Sequence, residues 1–232
     1  MSLSNIPHVD PADIRHLVVL GHPDPDSFNA GVARAYCTAV EQCGQRAELR
    51  DLYAIGFDPL LRSAERTAAA GFEPAPDVAR ELALLEASAV VVLVYPLWFG
   101  MPPAIIKGYV DRVLGAGFGP QEIKLQRHAP LLDGKRLVIA TTSATTRPWL
   151  EEQGQWVSLR QAFDVYLATI FGLESNDHIH FDAVVEGMDQ QRAGEILAQV
   201  TEQARKTSAE ILAERHAAQT RYVMRHGAPE FA

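Results

Sequence analysis

The chain has 232 residues, 47% of them hydrophobic and 22% charged, and a formal net charge of −8. That length holds one large α/β core, while the acidic balance and the absence of a basic stripe exclude a nucleic-acid backbone as partner.

The N-terminal stretch, residues 1–7, has neither a basic start nor a long apolar run, so no secretory leader is read. Residues 16–20 form a short uninterrupted apolar run closed by Gly21, the pattern of a strand buried on both faces. Ser27 stands where a helix N-cap belongs. Val32, Ala35, Tyr36, Ala39, Val40 and Cys43 then follow at helical spacing, and Gly44 supplies the stop. On one helix Cys37 and Cys43 are about 9 Å apart, beyond disulfide reach, which fits a reduced, cytoplasmic compartment. Residues 46–52 alternate as a second strand, 59–76 make a long Ala-rich connection, and 77–87 return to helical spacing. Residues 89–95 are a second buried strand, far too short to span a bilayer, so no integral membrane segment is expected. Pro102 and Pro103 suit a helix start, and Ile105, Ile106, Tyr109, Val110, Val113 and Leu114 continue its apolar face. A third buried strand at 137–142, a helix at 161–171, a last strand at 177–181 and a long amphipathic helix at 189–216 complete the series. Strands alternating with helices mean a parallel sheet covered on both faces. Five strands predict a flavodoxin-like doubly wound α/β fold with order 2-1-3-4-5. No composition break or internal repeat divides it, so 1–232 reads as a single domain with its core at about 16–218 and peripheral tails.

In such a sheet, ligands bind beyond the carboxyl ends of the strands. Three loops leave those ends. The first carries His22, Ser27 and Asn29 at a helix start, whose N–H groups and dipole attract a phosphate. No Gly-Lys-Ser/Thr follows Gly21, so nucleoside triphosphate use is unsupported. The second carries Trp98 and Phe99 between Pro96 and Gly100, suited to a flat ring system. The third, residues 141–146, offers small hydroxyl donors to a ring's other edge.

Gly21-His22-Pro23 with Asp26-Ser27-Phe28-Asn29, the stretch from Tyr95 to Val113 (YPLWFGMPPAIIKGYVDRV), Ala140-Thr141-Thr142, and Asp51-Leu52-Tyr53 followed by Phe57-Asp58-Pro59 carry a resemblance. Together they resemble the flavodoxin-like NAD(P)H:quinone reductases of the DT-diaphorase type, over roughly residues 17–142. The resemblance implies that His22, Ser27, Phe28 and Asn29 hold a flavin's phosphate and ribityl region. It places Pro96, Leu97, Trp98 and Phe99 around the isoalloxazine ring, with Thr141, Thr142 and Ser143 on the other side. It further implies FAD, with FMN as the alternative, a homodimer with its sites at the subunit interface, and NAD(P)H as co-substrate. A hydride would pass by way of the flavin to a quinone or similar acceptor in two ping-pong half-reactions, the flavin carrying the chemistry. The adenine-side contacts fall in the poorly matching 62–76 region, which leaves FAD against FMN open. NADH against NADPH stays open too.

Two departures stand out. Ser143-Ala144 replaces the family's Gly-Gly pair, and Trp149 and Gln155 fall at its Tyr and His positions. Glutamine bonds but does not act as an acid near neutral pH, so the family's proton relay does not transfer and the catalytic residues stay unassigned. Gly115-Ala116-Gly117-Phe118-Gly119-Pro120 follows a helix, not a strand, and reads as a rim over the substrate pocket with Phe118 touching the ligand. His178-Ile179-His180 with Asp182 lacks a third ligand cluster; no metal is assigned, and the pair reads as a solvated or dimer-facing strand end. Residues 221–226 read as a solvated basic tail. The alternatives to an enzyme are a flavin-binding ancillary subunit of a potassium-efflux system and a one-electron flavodoxin-like carrier, for which the chain is long.

Overall fold

The computed structural model describes residues 9–66, 73–119, 124–125 and 131–226, with residues 175 and 176 described by backbone alone. Five strands, β1 (Arg15–Leu20), β2 (Arg46–Asp51), β3 (Val90–Pro96), β4 (Arg136–Thr142) and β5 (Glu174–Phe181), pair in parallel in the order β2-β1-β3-β4-β5. This is the predicted order. β3 and β4 are buried along their whole length and β1 at all but its first residue, which explains their unbroken apolar sequences. Edge strand β2 alternates instead.

The period-2 alternation of side chains divides the sheet's residues between two cores. On one face Val18, Leu20, Val92 and Val138 pack with Tyr36 and Val40 of α1 (Phe28–Gln42), under the long helix α7 (Gln190–His226) that contributes Val200 and Ile211. On the other, Leu17, Val19, Val91 and Leu93 pack with Leu85 of α2 (Pro76–Ala87) and with Ile106 and Tyr109 of α3 (Ala104–Tyr109). α3 runs on as a π-helical turn, Val110–Leu114. At Gly21 a Cβ would lie 2.4 Å from Ile106 Cγ1. Only glycine lets the end of β1 approach α3 this closely, and that approach brings the first and second loops together.

Two segments differ from the sequence reading. The helical region expected at 161–171 begins earlier, as α4 (Arg147–Glu152) and α5 (Gln155–Leu159), and continues through a π-helical stretch Arg160–Val165 into α6 (Tyr166–Phe171). Gly154, with φ +66°, kinks the chain between α4 and α5 and breaks the periodicity that would have shown them. α7 extends past the expected end at 216 to His226, so the basic residues expected in a solvated tail are helical. Among the described residues no helix is long and apolar enough to cross a membrane.

Candidate functional site

The carboxyl edge of the sheet holds a cleft of about 700 Å³, within the usual range for small-molecule sites. Ser27 begins its first wall. Its backbone is extended and its Oγ accepts the Ala30 N–H at 3.2 Å, so the residue caps α1 as predicted. The hydroxyl proton and the Phe28 and Asn29 N–H groups remain for a ligand, because those groups have no intrahelical acceptor. His22 Nδ1 lies 3.1 Å from Asp24 N and 3.3 Å from Asp24 O, so Nδ1 is engaged within the loop and Nε2 is left for a ligand. The His22 ring meets Trp98 edge-on at 5.8 Å, closing the first loop against the second.

The second loop is a two-residue hairpin. Trp98 and Met101 exchange backbone hydrogen bonds of 3.1 Å in both directions, around Phe99 at φ +52° and Gly100 at φ +79°. Two successive positive φ values define a type I′ turn. An aromatic in the left-handed region is uncommon, and here it projects Phe99 fully into solvent. Leu97 N–H donates to Thr142 O at 2.7 Å, which anchors this hairpin to β4.

At the third wall, successive β4 side chains point to opposite faces. Thr142 Oγ1 accepts from Asn29 Nδ2 at 2.9 Å, tying α1 to β4. Thr141 points the other way and is fully buried, with its Oγ1 2.7 Å from His178 Nε2 and 2.8 Å from His180 Nδ1. His178 Nδ1 reaches Asp164 Oδ2 at 2.5 Å, and both side chains are fully buried. His180 Nε2 lies 3.1 Å from Ser143 Oγ. The Trp156 ring packs on both imidazoles at 4.9 and 5.0 Å, and the Arg147 guanidinium lies over the Trp156 ring at 4.8 Å. Burial pushes the His180 imidazole down to about 4, reinforced by the neighbouring His178. The expectation of a solvated strand end at His178 and His180 is therefore corrected: α5 and the π-helical stretch roof over that end of β5.

Of the residues proposed from sequence to surround a ligand, His22, Ser27, Phe28 and Asn29 line the cleft, as do Pro96, Leu97, Trp98, Thr142 and Ser143. Phe99 and Thr141 do not, the one projecting outward and the other buried behind the wall. Phe118 packs its ring on Phe171 at 5.7 Å in the lower core, away from the cleft. Trp149 sits half-exposed on α4, and Gln155 lies against the hairpin, where a Cβ at Gly100 would fall 2.2 Å from its Nε2. Sequence reasoning passed over Asp24 and Asp26 on the first wall, and Val184, Val185 and Glu186 after β5. The last three leave the same carboxyl edge as the other loops, so strand order alone could have flagged them. The cleft's described charged lining is acidic apart from His22.

The donor set suits a flavin. A helix N-terminus with a capping hydroxyl and an imidazole nitrogen can hold a phosphate, and Leu97, Trp98 and Val184 give an apolar slot for a ring. The rim carboxylates of Asp24 and Asp26 work against the phosphate and are exposed enough to be screened.

Comparison with known proteins agrees with the architecture. The chain is 32% identical over 153 residues to rat (Rattus norvegicus) NAD(P)H dehydrogenase [quinone] 1, a match covering 56% of this chain and 54% of the rat protein. The chain thus matches about half the length of that relative. An NAD(P)H:quinone oxidoreductase from Methanothermobacter marburgensis superposes with a TM-score of 0.69 at 22% identity, covering 84% of this chain and 96% of the other. An FMN-dependent NADH-azoreductase from Bacillus anthracis, in complex with FMN, gives 0.59 at 16% identity, covering 85% and 99%. At these identities the two superpositions speak to the fold. The family model described as flavodoxin-like fold matches residues 14–207, nearly the whole span from β1 into α7, and the chain belongs to that flavodoxin-like family.

Proposed function

We propose that the protein is a flavin-dependent NAD(P)H oxidoreductase that reduces quinones or similar electron-poor acceptors. The observation that carries this reading is the convergence of a capped helix N-terminus and an aromatic hairpin on one cleft at the carboxyl edge of the sheet. The rat relative is by name a quinone-reducing NAD(P)H dehydrogenase, which supports the reaction class.

Bound there, the flavin would supply two-electron transfer from a nicotinamide to the acceptor in ping-pong order. The chain's own part is binding and orientation. His22 Nε2, the Ser27 hydroxyl and the Phe28 and Asn29 N–H groups of α1 hold the phosphate. Leu97 and Trp98 flank the ring, and backbone groups of the third wall bond its edge. The Asn29–Thr142 bond fixes the spacing between phosphate and ring subsites. Either FAD or FMN meets these contacts, and FAD is the form proposed, following the resemblance of the chain's motifs to the DT-diaphorase-type reductases. Phe99, Trp98 and Met101 form an exposed apolar tip beside the cleft, which suits burial against a second copy in a homodimer. A cytoplasmic setting accords with the two free thiols, of which burial pushes Cys37 up to about 12.

The test is direct. The purified protein should retain about one flavin per chain, show its absorption bands, bleach with NAD(P)H and recover with a quinone. Heat release and chromatography then identify FAD or FMN. No bound flavin and no retention of either added form would end this reading.

A further inference from the structure

Reduction of a quinone by a nicotinamide needs one hydride and one proton per turnover. Neither Trp149 nor Gln155 lines the cleft. Behind the third wall, however, lies the continuous run Asp164–His178–Thr141–His180–Ser143, of contacts 2.5, 2.7, 2.8 and 3.1 Å, whose last member lines the cleft.

Counting protons along it is informative. Four hydrogen bonds need four protons. Two neutral imidazoles and the Thr141 hydroxyl supply three, and an ionised Asp164 supplies none. Ser143 Oγ also lies 2.7 Å from Thr145 O, a carbonyl that can only accept and that already takes the Ala183 N–H at 3.2 Å. When the Ser143 hydroxyl points to Thr145, the run is complete only with one extra proton. When it points to His180 Nε2, the run is complete without it. All four contacts of the run are therefore hydrogen bonds in two states that differ by one proton and by the direction of the Ser143 hydroxyl, and of the Thr141 hydroxyl as well when the extra proton sits on His178.

We infer that Asp164, His178, Thr141 and His180 store one proton and deliver it to an acceptor in the cleft through Ser143. The inference rests on the quinone-reductase reading for the identity of that acceptor, a quinone oxygen left anionic by hydride addition. In delivery the Ser143 O–H bond breaks as the acceptor takes that proton, and the His180 Nε2–H bond breaks as Oγ is reprotonated. The His178 Nε2 proton passes to Thr141 Oγ1 as the Thr141 hydroxyl proton passes to His180 Nδ1, so the positive charge moves from His178 to His180 and the Thr141 hydroxyl ends pointing at His178. Asp164 keeps the His178 Nδ1 proton and balances the stored charge. The chain loses one positive charge and the acceptor gains it. Ser143 is the group that meets substrate; the others hold and position the proton.

The surroundings suit storage. Trp156 packs against both rings, and the His178 side chain is fully buried. His180 is faced by Asp182, which favours its charge, and by His178 and Arg147, which oppose it, whereas His178 stands 2.5 Å from the Asp164 carboxylate. Arg160 approaches Asp164 at 3.6 Å, and the buried Tyr95 hydroxyl, without a partner, feels the same carboxylate. Asp164 lies within the π-helical stretch, a distortion that often marks functional positions.

Two measurements test this. In ¹⁵N-histidine NMR of the purified protein without added cofactor, His178 and His180 should move together through one shared protonation, as coupled sites do. Thr141→Val should make them titrate separately, and Thr141→Ser should keep the coupling. Independent titration in the wild type, or unchanged coupling in Thr141→Val, overturns the storage claim whatever the enzyme does. In rapid-mixing kinetics, His180→Gln should slow the quinone half-reaction about 100-fold, the scale of general acid catalysis. Its pH dependence should flatten, and the nicotinamide half-reaction serves as internal control. A wild-type protein that turns over quinone, with His180→Gln matching its rate and pH profile, refutes delivery and leaves the quinone-reductase reading standing. Loss of all wild-type turnover refutes that reading, and the delivery with it, while the NMR arm still reads storage.

Discussion

Replacing Gly100 with alanine probes the hairpin that forms one side of the cleft. Two separable costs follow from the geometry. At φ +79° an L residue enters the left-handed region, at roughly 1–2 kcal/mol relative to glycine. The new Cβ would also stand 2.2 Å from Gln155 Nε2 and 2.5 Å from its Cδ, well inside ordinary contact. These atoms end a flexible side chain, so the amide can rotate away, at roughly 0.5–1.5 kcal/mol if it leaves its rotamer. Gly100→Ala should therefore destabilise the protein by about 2–3 kcal/mol in urea unfolding and weaken flavin binding through the displaced Trp98. Pairing it with Gln155→Ala separates the two costs. The double variant should recover the steric part, about 1 kcal/mol of non-additivity, and keep the conformational part. A Gly100→Ala protein within 0.5 kcal/mol of wild type (about the usual spread of surface substitutions) would refute the turn geometry. An additive cycle would refute the Gln155 contact.

Stability should also fall on mild acidification. His16 is buried, bonded to Gln45 Oε1 at 2.9 Å and Tyr36 OH at 3.1 Å, and burial pushes its imidazole down to about 4. Its folded value lies below the unfolded one, so its contribution is whole above about pH 6.5 and disappears as pH falls toward 4, by up to about 3 kcal/mol. Arg112 bonds Glu65 and Asp77 and holds both carboxyls below their usual range, so their loss comes at still lower pH. Urea midpoints across this window should show a slope that drops by about one proton in His16→Gln; an unchanged slope would contradict the assignment. Asp26→Asn removes a rim carboxylate beside the α1 N-terminus. At about 7 Å in water a single charge is worth about 0.6 kcal/mol, so FMN should bind about threefold tighter at low salt, with the gain lost at high salt. Weaker or salt-independent binding would place the phosphate elsewhere.

The fold was legible because its central strands are continuous β-branched runs and each is followed by a turn and a periodic helix. Burial on both faces writes itself into sequence that directly. The first and second walls were legible for a related reason: residues close in sequence, such as His22 with Ser27 and Pro96 with Trp98, share one loop, so local pattern suffices. Val184, Val185 and Glu186 belong to the cleft only because β5 is the neighbour of β4, a relation that local pattern does not carry. Thr141 and Thr142 look equivalent in sequence, yet the strand's alternation sends one hydroxyl to Asn29 and the other to the imidazoles.

The misreading of His178 and His180 and the missed helices at 147–159 have one cause. β5 is an edge strand, and two imidazoles at i and i+2 on an edge face water unless something covers them. What covers them is α5 with the π-helical stretch, through Trp156 and Asp164. Gly154 and Pro148 broke the periodicity that would have announced those helices, so the face of β5 looked bare. Once the roof is recognised, the same two histidines become bonded groups, His178 buried and His180 half-buried, and a fully bonded histidine pair beside a carboxylate has a defined proton count. The chemistry assigned to the third wall therefore depends on a helix that the sequence pattern conceals. It depends much less on the motif that made the cleft recognisable.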